Sequence, residues 1–515
     1  MNKFPLFKTW MLLVVLIATL DVVPGNRVSG STFVRLDFNL NLPARFQNSV
    51  FIELFDDRPI TTTNFLQYVD GNHYDGTLMH RLAKDPSLQV LQGGGFYEDI
   101  VNVAAPLNVA LNQDAVDLDG NPATNNPTIL NEFNNVPFRS NLEGTLAMAK
   151  GGTPDSASNQ FFFNLDNDNA SNLDFQNGGF TVFAKVLGNG MTLIQGLGSL
   201  QTTNLNKDLY TQVNTQGTSY GSIVSNTPDN IRDFAGAGAF STVPFVGSNL
   251  VRLESANRSD YFSSTSTTTI PAGNLTLTNS LGFVESGATF NGTGKFIVGA
   301  GKTLSMEHGA TIARPVEVSG TFDPGLLVGA VTASSYKQLA GSTLKMQLGG
   351  ETAGTLYDQL NVTTTSEVAG SLNVFLLGSF RPSAGDTFSL INAASITGSF
   401  SSATLPTLRT GLAWDLQTTA TSMKLVVLPD YNNNGTVEQG DLTLWQNNFG
   451  STTNLSADGD GNGKVDGRDF LLWQRYFGEA VTLPPAPAIM AVPEPTSMAL
   501  AILGILAACS RRRTC

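Results

Sequence analysis

An ordered set of short motifs constrains this chain more than any other feature. In chain order they are Ile52-Glu53-Leu54-Phe55-Asp56-Asp57, Met79-His80-Arg81, Gln92-Gly93-Gly94-Gly95-Phe96, Leu146-Ala147-Met148-Ala149, Gln160-Phe161-Phe162 and Phe180-Thr181-Val182-Phe183-Ala184-Lys185-Val186. The first and last read as strands, and Thr62 to Val69 between them reads as a helix. In a strand, Phe161 and Phe162 must face opposite ways, so only one of them can join a given apolar surface. The set places one arginine and two glutamines beside an apolar cup, with no paired carboxylates and no nucleophile–base pair.

At these residues the chain resembles the cyclophilin family of peptidyl-prolyl isomerases. The resemblance runs from about residue 33 to 200, and Asn249-Leu250-Val251-Arg252-Leu253 would supply a last strand. It implies a closed β-barrel with flanking helices and catalysed rotation about X-Pro bonds in proline-containing polypeptides. The barrier to that rotation is amide resonance, roughly 20 kcal/mol. A catalyst needs no cofactor; it must grip the ring, hold the carbonyl, and offer a donor to the pyramidal nitrogen. By resemblance Arg81 is that donor and Gln92 orients Arg81 or the substrate backbone. Val90, Phe162, Leu173 and Phe180 line the proline pocket, the backbone of Ala149 and Lys150 pairs with the peptide, and Gln160 contacts it. The chain departs from the family at Asn172, where many members carry Trp, at Phe180, where many carry His, and at Gln89-Val90, which replaces Phe-Met. Lys84-Asp85-Pro86-Ser87 also lengthens the loop after Arg81. A working but weaker isomerase is the expectation.

Composition fixes the setting. Charged residues make up 14% of 515 and the net charge is −13, which argues against nucleic acid and suits a soluble exterior and Ca²⁺. The two cysteines, Cys509 and Cys515, sit at the far end, so no disulfide framework staples the domains. Residues 1–30, with Lys3 and Lys8 ahead of the apolar run Trp10 to Leu20, read as a secretory signal peptide. The isomerase-like region is assigned to 31–258, with long insertions at Tyr97 to Asn135 and after Leu187.

Residues 259–428 are rich in Gly, Thr and Ser, with short alternating runs punctuated by Gly. Residues 275 to 325 resemble β-solenoid rungs, and the stretch from Gly354 to Phe388 resembles the end module of adhesin or autotransporter passenger chains. A β-solenoid or sandwich-like spacer is expected.

A twelve-residue loop then occurs twice. Asp430, Asn432, Asn434, Thr436 and Asp441 recur as Asp458, Asp460, Asn462, Lys464 and Asp469, with Gly435 and Gly463 at position 6. Oxygen donors at positions 1, 3, 5 and 12, with the carbonyl of position 7, form a calcium pattern. Asp at position 12 and the absence of a preceding helix resemble dockerin domains, so 429–479 implies two structural Ca²⁺ sites and a cohesin-like protein partner. A calcium clip with no partner is the other reading. Leu442, Trp445 and Phe449, and likewise Phe470, Trp473 and Phe477, would form two helix faces that pack together. After the linker 480–491, residues 492–515 resemble a Pro-Glu-Pro sorting signal: Val492-Pro493-Glu494-Pro495, an apolar run, and Arg511-Arg512-Arg513. It implies a transient membrane anchor cut by a sorting protease, and a cell-surface, envelope or secreted location. Two functions follow: an exported isomerase assisting protein folding, or a surface adhesion or scaffold protein whose isomerase-like domain is weak or inactive.

Overall fold

A computed structural model describes residues 31–39, 48–79, 81–95, 127–199, 251–270, 273–326 and 328–485, with the backbone of 97–100 and 109–112. The signal peptide, the acids Asp114, Asp117 and Asp119, and the sorting signal lie outside the described residues. No helix among the described residues is long and apolar enough to cross a membrane.

The first region is an antiparallel sheet with helices packed against it. Its strands are β1 (Thr32–Phe38), β2 (Ser49–Leu54), β3 (Thr77–Leu78), β4 (Arg81–Asp85), β5 (Leu88–Gly93), β6 (Tyr97–Ile100), β7 (Val109–Asn112), β8 (Thr145–Met148), β9 (Phe161–Asn164), β10 (Val182–Val186) and β11 (Arg252–Phe262). Hydrogen bonds link them in the order β4-β5-β9-β8-β10-β2-β1-β11-β3-β6-β7. The ladder starts at β4 and comes round to β3, which precedes β4 in the chain by only Met79 and His80, and the Met79 amide still donates to the Val251 carbonyl at 2.9 Å.

Helix α1 (Pro59–Asp70) buries Thr61, Thr62, Phe65, Tyr68 and Val69, an i, i+3/i+4 stripe turned to the sheet. Pro59 starts it without needing a backbone donor. Its free first-turn amides, Ile60 and Thr61, donate to the Glu132 carboxylate at 3.2 and 2.7 Å, a cap from a distant loop. Helix α2 (Ala170–Leu173) is a single turn, and α3 (Gly190–Gly198) buries Leu193, Ile194 and Leu197 in the same core as Phe65.

Strand β11 crosses the expected boundary at 258. Its first part pairs antiparallel with β1, and Ser259 to Phe262 pair in parallel with Leu281–Val284. From there to Gly398 the strand pairs are parallel, and the region ends in antiparallel pairs that join Thr387–Asn392 and Ala413–Thr418 to Ser422–Leu428. Partners stand 22 residues apart at Ser259/Leu281 and 30 apart at Gln359/Ser389. One inward column is Leu304, Phe322, Leu344, Leu372 and Ala403; another is Phe296, Val316 and Tyr336. Each coil buries its face on the next. Gly320 makes one corner possible, since a Cβ there would lie 2.2 Å from the Lys302 carbonyl oxygen.

The two regions meet through aromatic rings. Phe51 stacks on Phe283 at 4.5 Å, and Tyr261 lies 5.3 Å from Phe51 and 5.6 Å from Phe33. We expect Phe283→Ala to cost about 3 kcal/mol at this junction. In calorimetry it should make the isomerase-like region melt ahead of the coils; coincident, unshifted melting would contradict a coupled junction.

The C-terminal pair of helices, Gln439–Asn448 and Gly467–Tyr476, caps the last coils. Ala384 donates to the Gly459 carbonyl at 2.8 Å, Ser383 Oγ to that of Asp460 at 3.0 Å, and Ala403 to that of Pro485 at 3.1 Å. The expected apolar trios divide. Leu442, Trp445, Phe470 and Trp473 pack inward, but Phe449 and Phe477 are 60% and 56% exposed. Each is the extended residue that ends its helix, followed by a positive-φ glycine, Gly450 or Gly478.

Candidate active site

Register builds the site. Arg81 on β4 lies opposite Gln92 on β5, Gln92 opposite Phe162 on β9, Phe162 opposite Ala147 on β8, and Ala147 opposite Val182 on β10. Directly opposed residues point to the same side of a sheet, so this row puts Arg81 and Phe162 on one face, two strands or about 10 Å apart. Phe162 packs there with Val90, Leu173, Phe180, Ala83, Ala147 and Val182, whereas Phe161 and Phe163 turn into the main core. The alternation expected of the Phe run is met, with Phe162 the one on the apolar cup. Its ring meets that of Phe180 edge-on at 5.8 Å.

The polar edge is a relay. Arg81 donates to Gln92 Oε1 at 3.1 Å, and Gln92 Nε2 donates to Gln160 Oε1 at 2.7 Å. Burial pulls the Arg81 guanidinium below its usual range, yet an arginine stays charged at any physiological pH. Gly95 allows the relay: a Cβ there would stand 2.7 Å from the Gln160 side chain.

The departures have local explanations. Gln89 turns away from the cup: its side chain donates to Asp166 at 2.9 Å, and Asn169 brackets its backbone. Asn172 donates to the Ser87 carbonyl at 3.2 Å, tying α2 to the lengthened loop. The Ala149 amide donates to the Gln160 carbonyl at 2.9 Å, so that N–H is not open to a peptide as expected. The Lys150 side chain, which sequence reasoning passed over, donates to the carbonyls of Asn177 at 2.8 Å and Gly179 at 2.5 Å, and its ammonium lies 4.9 Å from the Phe180 ring centre. Burial lowers its pKa.

Residues 40–218 match the family model of cyclophilin type peptidyl-prolyl cis-trans isomerases. The chain is 32% identical to the peptidyl-prolyl cis-trans isomerase of Acinetobacter baylyi over 176 residues, 34% of this chain and 75% of that protein. The chain belongs to the cyclophilin-type peptidyl-prolyl cis-trans isomerases. This isomerase is also 35% identical to peptidyl-prolyl cis-trans isomerase B of Escherichia coli, over 30% of this chain and 80% of that protein. Among solved structures, a cyclophilin type isomerase of Cryptosporidium parvum aligns over 44% of this chain and 97% of its own, at 17% identity and a TM-score of 0.26. Residues 428–478 match the dockerin type I domain, and 491–513 match the PEP-CTERM protein-sorting motif, which implies export.

In the isomerase's C-terminal pair, the carboxylates of Asp458, Asp460 and Asp469 come within 4.8 Å of one another. The first loop offers Asp430 and Asp441 with the amides of Asn432 and Asn434. Burial raises the pKa of both Asp441 and Asp469, with smaller contributions from the carboxylates of Asp430 beside the one and Asp460 beside the other. The donor set is all oxygen and fits a hard cation. The two loops are also cross-braced. Trp445 Nε1 donates to the Asp466 carbonyl and Trp473 Nε1 to that of Glu438, both at 2.8 Å. Each indole thus holds position 9 of the other loop, a coupling that the loop pattern alone does not reveal.

Proposed function

We propose that this exported isomerase turns X-Pro bonds in polypeptides outside the cytoplasm, with Arg81 as the essential donor. The observation that carries the reading is the transverse row from Arg81 through Gln92 to Phe162. The proline ring rests against Val90, Phe162, Leu173 and Phe180, where apolar area contributes about 25 cal/mol per Å². The peptide runs along the Ala149 carbonyl and the Lys150 backbone, beside Gln160. Arg81 then meets the nitrogen lone pair as conjugation is lost, and Gln92 holds the guanidinium in place. The interaction exists only at the twisted state, which is what lowers a barrier. Isomerisation of an Ala-Pro test peptide by the chain from 31 to 485 tests this; 31–258 would cut β11 in two. A scaffold with an idle isomerase domain predicts no acceleration in the same assay.

The parallel coils are read as a β-solenoid spacer, and the C-terminal pair as a two-site Ca²⁺ module that can offer a face to a cohesin-like partner. Asp430, Asn432, Asn434, the Thr436 carbonyl and Asp441 would hold one ion. Asp458, Asp460, Asn462, the Lys464 carbonyl and Asp469 would hold the other. Charge count favours the second loop, so calcium titration should fill it first, and Asp460→Asn should abolish that order; equal affinities in the unaltered protein would remove the argument. The tail, matching a sorting motif, would be the substrate of a membrane sorting protease.

A further inference from the structure

The wall of the proline pocket that carries Phe180 stands on an unusual turn. Asn177, Gly178 and Gly179 have φ of 51°, 78° and 77°, three left-handed residues in succession. Asn and Gly reach such φ values at little cost but leave the turn short of backbone ladder partners, so side chains must satisfy its carbonyls. Its carbonyls converge on two side chains. Asn131 Nδ2 donates to Gly178 and Gly179, each at 3.0 Å, and Lys150 Nζ donates to Asn177 at 2.8 Å and Gly179 at 2.5 Å. The Phe133 ring presses on Gly179 from the other side, where a Cβ would lie 2.0 Å from it. Asn131 and Phe133 belong to the loop ahead of β8. Lys150 lies on the peptide edge itself: its backbone continues from Ala149 along the edge where the peptide is placed, and its side chain joins that edge to the turn, beside a longer bond from Asn177 Nδ2 to the Gly151 carbonyl at 3.4 Å.

We propose that Lys150 is a positioning residue, whose ammonium stitches the peptide-binding edge to the Phe180 wall and so sets the width of the proline pocket. It acts through Phe180, over which its ammonium lies, and touches no reacting atom. This rests on the reading of Arg81 and Phe162 as the isomerase site. Charge-assisted bonds to two carbonyls are strong enough to fix a turn built of flexible residues. Removing them leaves the cup its apolar atoms but frees one wall, so the loss falls on grip and not on the donor that meets the nitrogen.

Lys150→Met keeps most of the unbranched apolar stem and removes both bonds. In isomerisation of an Ala-Pro peptide by the chain from 31 to 485, KM should rise about tenfold, the size expected for such bonds, with kcat changed by less than about twofold. Lys150→Arg, which restores a charged donor, should recover most of that loss. In a Phe180→Leu background the effect of Lys150→Met should vanish, because the wall it serves is already altered. If Lys150→Met does not fold, Lys150→Gln should raise KM by about threefold. An unchanged or lower KM, an equal fall in kcat, or full additivity with Phe180→Leu would overturn the proposal. Loss of activity in Arg81→Ala together with an unchanged KM in Lys150→Met would overturn this inference alone; full activity in Arg81→Ala would overturn the site on which it rests.

Discussion

Arg81→Ala should reduce kcat/KM for a proline test peptide by a hundredfold or more, the size seen on removing one transition-state donor, about 10² to 10³. The guanidinium is the one cation in the row that crosses the apolar cup, and Gln92 holds it at 3.1 Å. Burial has already stripped part of its water, so its field acts with little screening on the twisted amide. Arg81→Lys should recover little, because an ammonium lacks the fork that can bond Gln92 and the substrate together. Peptide binding should survive, since the cup and the peptide edge remain. Exchange spectroscopy on a labelled Ala-Pro peptide separates these terms: binding kept, rotation lost. If rotation were as fast in Arg81→Ala as in the unaltered protein, the donor would have to be sought elsewhere.

Chelating calcium should release the C-terminal pair from the coils and unfold it. At a calcium concentration a thousandfold above Kd, each site contributes about 4 kcal/mol, comparable with the whole stability of so small a unit. The indole cross-braces from Trp445 and Trp473 make the two loops yield together. The effect should travel further, because the second loop's carbonyls hold the spacer. Gly459 and Asp460 accept from Ala384 and Ser383, and Pro485 accepts from Ala403 on the last parallel strand. Hydrogen exchange at Ala384 and Ala403 should therefore speed up with chelator as it does at Trp473, while the amides of β9 stay protected. Unchanged exchange at Ala384 would mean that the docking does not depend on the metal.

Much of the site was legible in the order of its motifs. Alternation in Phe161-Phe162-Phe163 limits which ring reaches the cup, and the spacing of Arg81, Gln92 and Gln160 suits neighbouring strands. Other features left no local signal. Glu132 caps α1 from 72 residues away for Ile60, and only the fold brings that carboxylate to the helix start. Ala149 loses its amide to Gln160 because the β8–β9 register runs one step past Met148/Phe161, an end point that only the pairing of the two strands sets. Phe449 and Phe477 read as buried by helical spacing, yet the helices stop one residue short because a glycine follows each. Lys150 reads as a surface charge until the turn at Asn177 to Gly179 folds back onto it.

Sequence alone determined the family, the duplicated oxygen loops and the coils' apolar runs. Each is a matter of residue type and spacing, which survive any arrangement of the rest. Tertiary structure decided how the pieces join: β11 serves two regions, the strand ladder comes round from β4 to β3, and the second oxygen loop docks on the spacer's end. Those outcomes depend on which strand edges and carbonyls are left unsatisfied once neighbours have taken theirs, a competition settled only when the whole chain is in place.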